Sequence, residues 1–247
     1  MNQVLRFFPP TLIFCLALIL SYMCVRFSFF GYFIEEKYFL GTFFWFILSI
    51  FFILWIASFI QVIFGNPGES KIEGYYNKHN GCQTYCPKCG NIKPYRTHHC
   101  KKCNKCYVRM DHHCDALGVC IALRNHKSFI LLILYSIISL SIFSFSSIVL
   151  MFIGHFESFP YPLLFNGFSG GSLAILLSFL LYGQLKTILT GRTVLENIYD
   201  IHYESKLSKY ERFCEIFGKK PLNWFLPFPL SFDDTNGFKW EKDRKID

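Results

Sequence analysis

The sequence predicts an all-α integral membrane protein: four transmembrane helices, with a cytosolic cysteine-rich domain between helices 2 and 3. Three observations lead there. Only 17% of the 247 residues are charged, against about 25% in an ordinary soluble domain, while 52% are hydrophobic and 30 are Phe. Four long runs carry no charge. Between the second and third of them, seven of the eleven Cys and four of the eight His crowd between Cys86 and Cys120.

The runs are Phe7 to Val25 with 19 residues, Tyr38 to Phe64 with 27, Ser128 to Gly154 with 27 and Tyr161 to Leu185 with 25. A hydrocarbon core about 30 Å thick takes about 20 helical residues. Each run therefore spans it, with some tilt. Four buried core helices in a soluble protein would need more polar surface than this chain has to cover them. The first run is long for a signal-peptide core and lacks a small-x-small exit, so it reads as a span. No run holds an ionisable residue at its centre, which argues against an ion or proton pathway.

Orientation follows from the basic residues. The net charge is +8. Gly65 to Lys127 holds eleven Lys and Arg, Lys186 to Asp247 another eleven, and Arg6 one, which accounts for 23 of the 25. The remaining two, Arg26 and Lys37, sit in the first loop, and the short loop from His155 to Pro160 has none. The positive-inside rule then puts both termini and the middle loop in the cytosol. The expected organisation is 1–64 for transmembrane helices 1 and 2, 65–127 for the cysteine-rich domain, 128–185 for helices 3 and 4, and 186–247 for a cytosolic tail. The tail closes on Arg244-Lys245-Ile246-Asp247, which resembles a dibasic retrieval signal, so an endoplasmic reticulum or Golgi membrane is expected.

Cytosolic thiols stay reduced, so a dense cysteine cluster there serves a metal or catalysis rather than disulfides. The loop has C-x-x-C steps at 86/89, 100/103 and 103/106, interleaved with His98, His99, His112 and His113. Tetrahedral zinc takes four Cys or His ligands, and a two-residue spacer lets one turn present two thiolates to one ion. Eight ligands make two closed zinc sites. More than eight candidates are present, so at least one cysteine is spare, and spacing does not say which. Cys15 and Cys24 read as packing residues of the first span, and Cys82 and Cys214 have no evident partner. The basic residues of the loop are not interleaved with base-stacking aromatics, so no nucleic-acid partner is expected.

The order Cys86-x-x-Cys89, Lys93-Pro94, His99-Cys100-x-x-Cys103-x-x-Cys106, Asp111-His112-His113-Cys114, Cys120 and Asn125 resembles the cysteine-rich domain of the DHHC protein S-acyltransferases. It lies between spans two and three, as in that family. Asn66-Pro67-Gly68 is similar to the family's Asp-Pro-Gly, and Thr193-Val194-Leu195-Glu196 to its Thr-Thr-x-Glu. Asn197, Tyr199, Asp200, Phe217-Gly218 and Trp224 are similar to its C-terminal amphipathic segment.

The resemblance implies one zinc on Cys86, Cys89, His99 and Cys106, and a second on Cys100, Cys103, His113 and Cys120. It leaves Cys114 as nucleophile, His112 as general base and Asp111 as the residue that orients it. The implied activity is palmitoyl transfer from acyl-CoA, through a Cys114 thioester, to cysteines of membrane-associated proteins. Lys93 and Arg96 are the implied contacts to the coenzyme A phosphates. Where relatives carry Pro-Trp after the signature, this chain has Asp115 and Ala116. Val119 stands for an Asn and Val194 for a Thr. Asp115 is expected either to disfavour the Cys114 thiolate, or to point into the cytosol and be screened, or to pair with Arg109 or Arg124. The alternative to the enzyme is a membrane-anchored zinc scaffold of the same family with little transferase activity.

Overall fold

The computed structural model describes residues 38–70, 84–153, 160–201 and 207–228. The first expected span, Phe7 to Val25, lies outside them, as do Cys82 and the segment 229–247. Three helices among the described residues are long and apolar enough to cross a membrane: α1 (Tyr38–Phe64), α2 (His126–Ile153) and α3 (Pro160–Thr190). They coincide with the second, third and fourth uncharged runs. The ends of α2 and α3 reach past the runs to take in His126, Lys127 and Lys186 to Thr190, because a helix can continue through charged residues once it leaves the hydrocarbon.

The chain divides into two compact units. The described part of one lies within Pro10–Ser58 and Ile130–Gly183 and is helical. In lipid every polar group needs an internal partner. Ser49 and Ser136 find one in the preceding turn: Ser49 Oγ donates to Trp45 O at 2.8 Å, and Ser136 Oγ to Leu132 O at 2.8 Å. Trp55 Nε1 donates to Ser136 Oγ at 2.8 Å, tying α1 to α2. Small residues let α2 and α3 approach closely. Ser144 Oγ donates to Gly167 O at 2.5 Å, and a Cβ on Gly167 would come within 3.1 Å of Ile148. Apolar side chains such as Phe152, Phe168 and Phe179 face outward, as lipid contact demands.

The second unit, described within Phe59–Phe129 and Gln184–Asp247, holds the cysteine-rich domain and the start of the tail. The all-α expectation needs correcting here. The domain is built from six short strands in three antiparallel hairpins: β1 (Thr84–Cys86) with β2 (Asn91–Lys93), β3 (Thr97–Cys100) with β4 (Lys105–Val108), and β5 (His112–Cys114) with β6 (Val119–Ile121). The C-x-x-C knuckles and turn residues favour tight reversals over helix. Isolated hairpins are marginal on their own, so these need something else to hold them together.

Asn66-Pro67-Gly68 leads α1 into this domain. Asn66 Oδ1 accepts from Gly68 N at 2.8 Å and Glu69 N at 2.9 Å, a local turn in which Gly68 takes φ 106°. The turned segment lies along β4, with Val108 N donating to Gly68 O and Ser70 N to Cys106 O, both at 2.9 Å. After α3, the short helix α4 (Val194–Ile198) is started by a capping box between Thr193 and Glu196. Helix α5 (Lys209–Phe217) starts the same way with Ser208 and Glu211. A 3-10 turn (Pro221–Phe225) folds Trp224 edge-on against Phe213, centroids 5.0 Å apart.

Candidate active site and metal centres

Each metal cluster takes a C-x-x-C knuckle from one hairpin and a facing His/Cys pair from the next. Cys86 and Cys89 come from the first hairpin; His99 and Cys106 are register partners across β3 and β4. Cys100 and Cys103 come from the second hairpin; His113 and Cys120 are register partners across β5 and β6. Successive strand residues point to opposite faces. That alternation sends His99 to one cluster and its neighbour Cys100 to the other.

The separations suit a small tetrahedral ion. His99 Nδ1 lies 3.6, 3.2 and 3.8 Å from the sulfurs of Cys86, Cys89 and Cys106. His113 Nδ1 lies 3.6, 3.4 and 3.6 Å from those of Cys100, Cys103 and Cys120. Metal bonds of about 2.3 Å to sulfur and about 2.0 Å to nitrogen set tetrahedral ligands roughly 3.5–3.8 Å apart. The crowding shows in the thiols. Hydrogen bonds from Cys103 and Cys120 push Cys100 far down, and the Cys100 and Cys103 contacts push Cys120 far up. Three soft sulfurs with one imidazole, repeated twice, form a donor set that fits zinc.

The same alternation explains why Cys114 stays outside the clusters. His113 faces the metal ligands, so His112 and Cys114 share the other face of β5. Asp111 is fully buried. Its Oδ2 accepts from His112 Nδ1 at 2.8 Å and its Oδ1 from Val194 N at 3.0 Å. Its main chain is pinned too: Asp111 N donates to Ile121 O at 2.9 Å, and Leu195 N to Asp111 O at 3.0 Å. Burial favours protonating this carboxyl, but the His112 bond and the nearby histidines outweigh it and hold it well below the usual carboxylate range. Because His112 Nδ1 faces the carboxylate, Nε2 is left for the thiol. The Cys114 side chain lies near enough to act on the ring. Burial works to lower the His112 pKa; the Asp111 and Cys114 contacts prevail and raise it to about 9. The ring rests edge-on against Phe129, centroids 5.4 Å apart.

Two expectations change. Arg96 is 6% exposed, and its guanidinium grips Glu196 with Nε to Oε1 and Nη2 to Oε2 both at 2.7 Å, while Nη2 also donates to Gly191 O at 2.6 Å. A cation so enclosed serves the fold and is withdrawn from phosphate binding; Lys93 is only half-buried. Asp115 pairs with Lys102, not with Arg109 or Arg124, and its Oδ1 also lies 3.5 Å from His113 Nε2. The Lys102 ammonium holds the Asp115 carboxyl below its ordinary value. Val119, in register with Cys114 on β6, is buried, and Ala116 is exposed. His98 pairs with Tyr107 across β3 and β4 and belongs to neither cluster.

Sequence reasoning missed Arg109, His126 and Gln184. Arg109 reads as one more loop cation, yet it is 1% exposed. The available signals were its place between the apolar Val108 and Met110, and a Gln inside an otherwise apolar run.

Residues 79–201 match the DHHC palmitoyltransferase family. A curated relative, "Probable protein S-acyltransferase 12" of Arabidopsis thaliana, is 24% identical over 171 residues, an alignment covering 63% of this chain. The chain covers 57% of that relative's length. With this signature, these paired clusters and this match, the chain belongs to the DHHC-type palmitoyltransferase family.

Proposed function

We propose that the chain is a protein S-palmitoyltransferase acting from acyl-CoA through a Cys114 thioester. The observation that carries it is His112 set between the buried Asp111 carboxylate and the Cys114 thiol, on the strand face turned away from both metal clusters. Cys114 is half-exposed, so a thioester can reach it.

In the first half-reaction His112 Nε2 takes the thiol proton, and Asp111 stabilises the imidazolium so formed. Sulfur attacks the thioester carbonyl carbon. The bond from that carbon to the coenzyme sulfur breaks, and the coenzyme thiolate takes the proton from His112. In the second, an acceptor cysteine gives its proton to His112 and attacks the same carbon. The bond to Cys114 breaks, and His112 returns the proton to its sulfur.

Zinc is the ion assigned to both sets, Cys86, Cys89, His99, Cys106 and Cys100, Cys103, His113, Cys120, where it would cross-link the three hairpins. Lys93 is left as the phosphate contact. The acyl chain lies among the spans, where each buried methylene contributes about 0.8 kcal/mol. The acceptors are cysteines of membrane-associated proteins near the bilayer surface. Residues 65–127 and the tail face the cytosol, at an endoplasmic reticulum or Golgi membrane.

The test is transfer in vesicles from palmitoyl-CoA to a membrane-anchored peptide carrying one juxtamembrane cysteine. Hydroxylamine-sensitive palmitate on that cysteine is expected. A wild-type protein that binds zinc but transfers nothing favours the scaffold.

A further inference from the structure

Arg109 directly follows β4 and stands two residues before Asp111. It takes a left-handed backbone, φ 47°, which a side-chain-bearing residue adopts only when its surroundings impose it. Its backbone N donates to Arg96 O at 2.9 Å, and its guanidinium is enclosed at 1% exposure. The side chain runs to the first residue of α2, with Nη1 3.2 Å from His126 Nδ1. On its other side, His126 Nε2 lies 2.9 Å from Gln184 Oε1, near the end of α3. His126 and Gln184 are 0% and 4% exposed.

The chemistry of the three groups fixes the direction of this chain. A guanidinium has donors only. His126 Nδ1 must therefore accept from Arg109, which leaves the ring proton on Nε2, and Nε2 donates to the Gln184 carbonyl oxygen. One turn further along α2, on the same helix face, Phe129 carries the ring against which His112 rests. The helix that His126 anchors thus supplies a wall of the base's seat, while the short link between β4 and β5 that Arg109 anchors carries Asp111.

We propose that the buried Arg109–His126–Gln184 chain positions His112 against Cys114 by fixing the first turn of α2, and with it Phe129, against the Asp111–Cys114 hairpin. His126 and Gln184 are positioning residues and touch no reacting atom. The role in catalysis rests on the Cys114 acyl-enzyme reading above. A displacement of about 1 Å at a reacting pair can cost about a hundredfold in rate, so a first turn of α2 shifted by a lost hydrogen bond is enough to be seen.

The experiment uses the full chain in nanodiscs, with His126→Phe, Gln184→Leu, the double variant and Gln184→Glu, which keeps the acceptor. Three quantities are read: the rate of Cys114 acylation from palmitoyl-CoA with its KM, the rate of Cys114 alkylation by iodoacetamide followed on the Cys114 peptide, and zinc per chain. Both single variants are expected to slow acylation and alkylation at least about tenfold. Zinc should hold at two and KM should stay within about twofold. The double variant should be no slower than the slower single, because one chain is broken once, and Gln184→Glu should recover most of the rate. Unchanged rates, additive losses, a change in KM alone, or a loss that accompanies loss of zinc would each overturn the proposal. The alkylation arm needs no acyl donor. If the wild type takes no acyl group at all, the transferase reading fails, and alkylation still decides whether the chain positions His112.

Discussion

Replacing Glu196 with Gln should be among the most damaging isosteric changes in the described part of the molecule. The carboxylate meets Arg96 through two bonds of 2.7 Å, and the side chains are 1% and 2% exposed, so solvent screens neither. Gln keeps an oxygen in reach of Thr193 N, now 2.8 Å from Glu196 Oε2, so the helix cap survives and the charge is what is removed. Arg96 is left buried and uncompensated. Breaking one side of a buried pair costs about 3–5 kcal/mol, which for a chain of this size lowers the unfolding midpoint by about 6–20 °C. The effect reaches the active site, because Val194, two residues earlier, donates to Asp111. The assay is thermal unfolding of the zinc-loaded protein in nanodiscs, with acylation rate alongside. Adding Arg96→Met to Glu196→Gln should restore much of the loss, since an apolar replacement of the whole pair is often neutral. Acid gives a second check. Burial alone would raise the Glu196 carboxyl, but the Arg96 pair holds it below its ordinary 4.5. Its contribution is therefore complete above pH 4.5 and fades as pH falls through the lowered value, so the gap between wild type and Glu196→Gln should close in acid. A midpoint within a degree of wild type, or a double variant worse than the single, would refute the reasoning.

Cys89→Ala and Cys103→Ala should each drop zinc from two to one per chain by metal analysis and lower thermal stability, because a structural ion contributes folding free energy directly; two ions retained in either variant would contradict the ligand sets. Asp111→Asn should lower the acylation rate by ~10²–10⁴-fold with zinc unchanged, since an amide can hold the wrong His112 tautomer and cannot stabilise the imidazolium. Asp115→Asn should leave the pH–rate profile of acylation in place, because Lys102 already offsets that charge; a profile displaced to lower pH would return Asp115 to the role of tuning the thiol.

The uncharged runs made three of the four expected spans legible, because length and lack of charge are all that a bilayer asks of a helix. The cysteine-rich loop was legible in its chemistry but not in its fold. Spacing alone left open which cysteine was spare, and the family resemblance implied the division into two sets. The structure adds the physical reason: β5 alternates, so His113 and Cys114 cannot face the same way. Arg96 shows what sequence could not reach. The family resemblance implies a phosphate contact there, and the partner that encloses the guanidinium, Glu196, lies 100 residues away. Thr193 and Glu196 were visible as a motif, but their work as helix cap and counter-charge needed the two segments side by side. Asp115 likewise has its partner, Lys102, on the preceding hairpin, out of sight of local spacing.

The most direct test of the central claim is intact-mass and peptide analysis of purified protein after brief exposure to palmitoyl-CoA. One hydroxylamine-labile palmitoyl group on Cys114 is expected in the wild type. It should be absent in Cys114→Ser, with two zinc ions in both proteins. Acylation that persists in Cys114→Ser, or a zinc lost with that substitution, would contradict a nucleophile standing outside both metal clusters.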